Sequence, residues 1–142
     1  MAYFIWGDDL LIDNGQLDQD HRVLIEQINQ LHSATKVGSG QEIVGKTLED
    51  LIRNTLEHIR REEQFMTQIN YPGQKEHEAD HVRFVNSLRD LQRKYGLGSI
   101  TVAAQLSTLL RDWLSLHIQR YDKDIFHFME EQKCTKRTKR TR

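Results

Sequence analysis

The chain has 142 residues, 29% of them charged and 37% hydrophobic, with a formal net charge of -1. That length suits one domain with its own core, and the composition excludes a disordered chain over the body of the sequence. A single cysteine, Cys134, excludes an internal disulfide and any thiolate cluster, so a bound metal would have to use nitrogen and oxygen.

At the N-terminus, Met1 to Trp6 lacks the basic start of a signal peptide, and Asp8 and Asp9 interrupt any apolar run. No apolar stretch approaches the roughly twenty residues that span a bilayer, and the expected compartment is the cytoplasm. The single proline, Pro72, and the placement of the eight glycines leave long segments without a breaker, which points to helices. The spacing predicts a first helix over about 18–37, with His21, Leu24, Ile25, Ile28, Leu31 and Thr35 on one stripe, ended by Gly38 to Gly40. Ser39 and Glu42 have the spacing of a capping box and launch a second helix carrying Leu48, Leu51, Thr55, His58, Glu62 and Phe65, which stops before Asn70-Tyr71-Pro72-Gly73. A third helix over about 74–95 aligns His77, His81, Phe84, Leu88 and Leu91, and Gly96 to Gly98 closes it. The fourth is predicted over about 100–132, with Leu106, Leu110, Trp113, His117 and Ile125 on its buried stripe. Four amphipathic helices joined by short glycine-containing turns predict an all-α, antiparallel up-down-up-down four-helix bundle with an N-terminal arm, the domain spanning residues 1–132.

The inward stripes carry five histidines, His21, His58, His77, His81 and His117, and two carboxylates, Glu62 and Asp122. A lone histidine on such a stripe is ordinarily a hydrogen-bonded core residue, and His32 and His127 are assigned no role. Burying seven polar groups without partners would cost several kcal/mol, and a metal centre supplies the partners. His58 and Glu62 are four apart, as are His77 and His81, so each pair projects from adjacent turns into one layer. His117 and Asp122 are five apart, about 140° around an α-helix, and are expected to flank the centre. Seven ligands are too many for one ion of ordinary coordination and suit two.

The run His77-Glu78-Ala79-Asp80-His81 also spells a zinc protease, with Glu78 as general base. That reading lacks a third ligand. Phe84 and Ser87 stand where one class needs glycine and histidine, and no Asp, Glu or His lies between Asp90 and Asp112 to serve the other. No strand is evident to bind a peptide.

The residues resemble the hemerythrin family, most closely its single-domain bacterial members. The resemblance covers nearly the whole chain to about Met129: the arm with Trp6 and Ile12, Asp18-Gln19-Asp20-His21, His58-Ile59-Arg60-Arg61-Glu62-Glu63 with Met66, the His77 to His81 run followed by Phe84, and Trp113-Leu114-Ser115-Leu116-His117 followed by Asp122. It implies two iron ions, one held by His77, His81 and His117, the other by His21 and His58. Glu62, Asp122 and an oxo or hydroxo group would bridge them. In this family dioxygen binds at the position left open on the second iron, so the implied function is reversible oxygen binding rather than catalysis.

Leu24, Ile59, Trp113, Leu114 and Ile118 are expected to line an apolar oxygen pocket. Ile59 departs from the family, where phenylalanine is usual, and a smaller side chain there would open the pocket and speed autoxidation. Oxygen-activating di-iron bundles use about four carboxylates and two Glu-x-x-His units. This chain has one such unit, Glu78 to His81, and Glu78 lies off the ligand stripe. A di-iron oxidase or peroxidase remains the alternative, as does an oxygen or redox sensor acting through a partner protein. Dioxygen is the expected ligand, and an oxygen-consuming enzyme is the partner such a supply protein would serve. The segment Lys133 to Arg142 holds six basic residues and no acidic one, and removing it would take the net charge from -1 to -7. It is read as a disordered, solvated tail, with no nucleic-acid partner because an acidic body repels phosphates.

Overall fold

A computed structural model of the chain describes residues 4–13, 15–36, 41–96 and 100–140. Helices α1 (Gln16–Lys36), α2 (Gln41–Gln68) and α3 (Gln74–Gly96) are followed by α4 (Ile100–His117), a π-helical turn (Ile118–Asp122) and α5 (Lys123–Arg140), which run on as one rod. α1 packs on α2 and α4, and α3 packs on the same two, so four rods close a ring in chain order. No strand occurs among the described residues. None of their helices is long and apolar enough to cross a membrane. The architecture is the antiparallel four-helix bundle that the stripes predict.

The core follows the helical spacing closely. Leu24, Ile25, Ile28 and Leu31 of α1, Leu48 and Leu51 of α2, Phe84 and Leu88 of α3, and Leu106, Leu110 and Leu114 of α4 are all buried. Phe65, Leu91 and Trp113 pack against this core while keeping one edge in solvent.

Helix ends differ from the sequence reading where local side chains intervene. α1 begins at Gln16 rather than Asp18 because the Asp13 carboxylate accepts the N–H groups of Gly15 at 2.9 Å, Leu17 at 3.0 Å and Asp18 at 3.1 Å, satisfying donors that the first turn leaves free. α2 ends in a Schellman motif. Asn70 takes φ 54, Tyr71 N–H donates to the Met66 carbonyl at 3.0 Å, and Asn70 N–H donates to Thr67 at 3.2 Å, after which Pro72 prevents continuation. The glycine stop at 38–40, the Ser39 and Glu42 capping box and the turn at 97–99 lie outside the described residues.

Two further departures concern the last rod. A straight α-helix would put Asp122 about 140° from His117. Instead Lys123 N–H bonds the Ile118 carbonyl, a π-type i→i+5 link, and this wider turn swings Asp122 back beneath His117, with Oδ1 3.2 Å from Nε2. The two residues therefore share a face and do not flank the centre from opposite sides. The backbone also stays helical to Arg140, past the Gln132 limit and through most of the segment expected to be disordered. No proline or glycine interrupts 123–140, and extending an existing helix through Lys, Arg, Glu and Gln adds a bond per residue without a new nucleation cost.

The arm is tied down at three points. Asn29 brackets Phe4, accepting its N–H at 2.7 Å and donating to its carbonyl at 2.8 Å. Ile12 N–H donates to Asp18 at 2.7 Å, and the Lys123 ammonium donates to the Leu11 carbonyl at 3.1 Å. Leu10 and Ile12 are thereby buried against the bundle. Replacing Asp13 with alanine should cost about 1 kcal/mol, the usual value of a lost cap. Thermal melting should show that loss while metal content stays unchanged.

Candidate metal centre

Seven buried side chains converge at one level of the bundle, and every element there is placed by helical phase. α1 contributes His21, α2 contributes His58 and Glu62, α3 contributes His77 and His81, α4 contributes His117, and the π turn contributes Asp122. They form two donor groups: Glu62, His77, His81 and His117 in one, and His21, His58, Glu62 and Asp122 in the other, with the ligand atoms of each group within 4.8 Å of one another.

Imidazole nitrogens face one another across these groups. His21 Nε2 lies 3.0 Å from His58 Nε2, His77 Nε2 lies 2.8 Å from His117 Nε2, and His81 Nε2 lies 3.1 Å from His117 Nε2. Two ligands at right angles on an ion with bonds of about 2.1 Å are separated by about 3.0 Å, so the spacing matches donors sharing a cation. The carboxylates span both groups. Glu62 turns Oε1 towards His77, His81 at 3.1 Å and His117 at 3.2 Å, and Oε2 towards His58 at 3.1 Å. Asp122 turns Oδ1 towards His77 at 3.0 Å and Oδ2 towards His21 at 3.2 Å. Glu62 Oε2 and both Asp122 oxygens are nonetheless buried without a hydrogen bond, as a bridging carboxylate's inward lone pairs would be. The donor set therefore fits two cations held by imidazole and bridged by carboxylate.

Three carboxylates that the sequence reading left without a role stand behind the imidazoles. His58 Nδ1–H donates to Asp20 at 3.0 Å, His117 Nδ1–H to Asp80 at 2.7 Å and His81 Nδ1–H to Glu63 at 3.3 Å. Each bond fixes the tautomer that points Nε2 at the centre. The available signal was adjacency: each carboxylate is the chain neighbour of an assigned ligand, Asp20 before His21, Glu63 after Glu62 and Asp80 before His81.

Of the five apolar residues assigned to an oxygen pocket, Leu24, Ile59, Leu114 and Ile118 are buried. Trp113 is partly buried and packs against the apolar core. Its ring stacks on Phe84 at 3.8 Å and on His117 at 4.3 Å, and its indole N–H donates to Asp80 at 3.2 Å. Its position one turn before His117 sets it directly against that imidazole. Glu78 is held away from the centre by Gln74, whose amide donates to it at 2.9 Å. That leaves His77 and His81 without the general base a zinc protease needs.

The family model for the hemerythrin HHE cation binding domain matches residues 14–129. The chain belongs to the hemerythrin family. It is 34% identical over 124 residues to the bacteriohemerythrin of Methylococcus capsulatus, covering 87% of this chain and 94% of that one. It is 25% identical over 119 residues to the myohemerythrin of Riftia pachyptila, covering 84% and 88%. A crystal structure of wild-type hemerythrin superposes with a TM-score of 0.79 at 28% identity, covering 88% of this chain and 96% of the other. Hemerythrin domains carry a di-iron centre, and the two donor groups are built for that pair.

Without metal, protons must do part of the work of the cations. Burial pushes the His21 and His77 pKa down, but the Asp122 and Glu62 carboxylates outweigh it and raise both from 6.5 to about 9. Burial likewise pushes Glu62 up, and the surrounding imidazoles more than reverse this, holding it well below the usual carboxylate range. The raised imidazoles stabilise the metal-free fold fully below their unfolded value of 6.5, and that contribution is lost as pH rises through about 9. The melting temperature of the metal-free protein should therefore fall between these two pH values, while that of the metal-loaded protein stays level. Paired melts across this range check it, and a level metal-free curve would contradict it.

Proposed function

We propose that this chain binds dioxygen reversibly at a di-iron centre held by His21, His58, Glu62, His77, His81, His117 and Asp122. The observation that carries the reading is the unequal division of imidazole between the two donor groups. Three imidazoles, His77, His81 and His117, gather around Glu62 Oε1, whereas His21 and His58 alone face Glu62 Oε2 and Asp122 Oδ2. With both carboxylates shared, the second group supplies one donor fewer and leaves room for a small ligand.

A ferrous pair supplies the two electrons that oxygen binding draws on and takes back on release. The protein's part is to favour that ferrous state and to keep water out. Neutral imidazole donors dominate the set, and only two carboxylates reach the centre among the described residues, which favours the lower oxidation state over the high-valent iron of carboxylate-rich oxidases. Leu24 one turn beyond His21, Ile59 beside His58, and Leu114 and Ile118 either side of His117 shield the two-histidine side with apolar surface. These four residues and Trp113, which stacks on His117 at 4.3 Å, are proposed to line the oxygen pocket.

The oxygen-binding unit is proposed to span residues 1–132, with the basic segment 133–142 outside the site. Residence in the cytoplasm and delivery of oxygen to an oxygen-consuming enzyme belong to the same proposal. The exposed thiol of Cys134, which is in no disulfide, suits a reducing compartment.

Iron analysis should give two irons per chain, and the visible spectrum should change on removing oxygen and return on readmitting it. Irreversible bleaching, or sustained turnover with peroxide and a reductant, would instead mark an oxidase. Ile59→Phe should slow autoxidation, because a larger side chain beside His58 narrows access for water and protons. Decay of the oxygenated spectrum at fixed pH measures it, and an unchanged rate would remove Ile59 from the pocket.

A further inference from the structure

The carboxylates behind the imidazoles are not equivalent. Asp20 is almost fully buried and uses both oxygens twice. Its Oδ2 accepts from His58 Nδ1 at 3.0 Å and from Arg61 Nε at 2.8 Å, while Oδ1 accepts from the other arm of Arg61 at 3.0 Å and from Gln16 at 2.8 Å. The guanidinium thus takes the same oxygen that receives the ligand's proton. On the other side, Asp80 Oδ2 accepts from His117 Nδ1 at a shorter 2.7 Å, and the donor sharing that oxygen is the neutral indole of Trp113 at 3.2 Å. The Arg83 guanidinium reaches only the far oxygen of Asp80, at 3.3 Å, and is largely exposed.

A carboxylate that accepts Nδ1–H makes the imidazole a stronger donor at Nε2, and a stronger donor favours the ferric ion. A cation bonded to that same oxygen withdraws part of the effect. We propose that Asp20 and Arg61 are positioning residues for the ion held by His21 and His58. Asp20 fixes the ring and tautomer of His58, and Arg61 damps the electron donation of His58 so that this ion stays ferrous. Arg61 is 35% exposed and also approaches Glu57 at 3.8 Å, so its charge can be changed without opening the core. The inference rests on the two-histidine ion being the oxygen site.

The process that Arg61 slows is autoxidation. The diferrous pair gives two electrons to dioxygen, which takes two protons from solvent and leaves as hydrogen peroxide, and both irons end ferric.

The test uses the full iron-loaded chain. Asp20→Asn should weaken retention of one iron about 10- to 100-fold, the usual effect of losing such a partner, while the second iron is kept. Iron per chain after dialysis against a chelator would then fall from two towards one. Arg61→Gln should keep both irons but autoxidise about tenfold faster, with Arg61→Lys falling between it and the parent. Loss of both irons together from Asp20→Asn, or a parental autoxidation rate in Arg61→Gln, would overturn the proposal. If the parent protein shows no reversible oxygenation, the oxygen reading fails by itself, and the iron-retention comparison still decides whether Asp20 serves one ion alone.

Discussion

The structure depends on one electrostatic constraint: five imidazole nitrogens and two carboxylates meet in the interior with their lone pairs facing one another. At separations of 2.8 to 3.2 Å, acceptor against acceptor is repulsive unless a cation or a proton lies between. Each helix has to arrive at that level in the correct phase, because a helix turned by one residue would carry its imidazole away from the centre. The apolar residues above and below the layer provide cohesion, and the polar layer specifies register. The bundle thus trades part of its hydrophobic core for a site that only charge can complete.

Much of this was legible in the sequence because α-helical phase is regular. The pairs His58 with Glu62 and His77 with His81 could be placed on inward faces from their spacing alone, as could the leucine and isoleucine stripes that pack the rods. The π turn was not legible. Nothing in Ile118-Gln119-Arg120-Tyr121-Asp122 departs from ordinary helical composition, and the extra residue shows only as a spacing of five where four would be expected. The start of α1 is not legible for a related reason, since the Asp13 cap acts through side-chain geometry that periodicity does not register. The continuation of α5 through a basic, polar segment shows the limit of composition as a guide to order once a helix is already nucleated.

The outer carboxylates were harder to find because each looks like a solvated charge when read along the chain. Asp20 and Asp80 sit next to ligands yet face away from them on their own helices, and they meet imidazoles of different helices, 38 and 37 residues distant. Only the packing of one rod on another identifies these partners. Trp113 shows the same effect in an apolar residue. Its indole N–H donates to Asp80 of α3, 33 residues distant, a contact that only the packing of α3 on α4 brings about.

The fastening of the N-terminal arm reaches further than its modest contacts suggest. Lys123, which clasps the Leu11 carbonyl, is both the residue directly after Asp122 and the donor that closes the π turn. One residue, through its ammonium and its backbone N–H, therefore couples residues 4–12 to the register of a bridging carboxylate more than a hundred positions away. The arm works as a latch on the last rod, and a chain trimmed of it would give up a restraint on the geometry of the centre without losing a single donor atom.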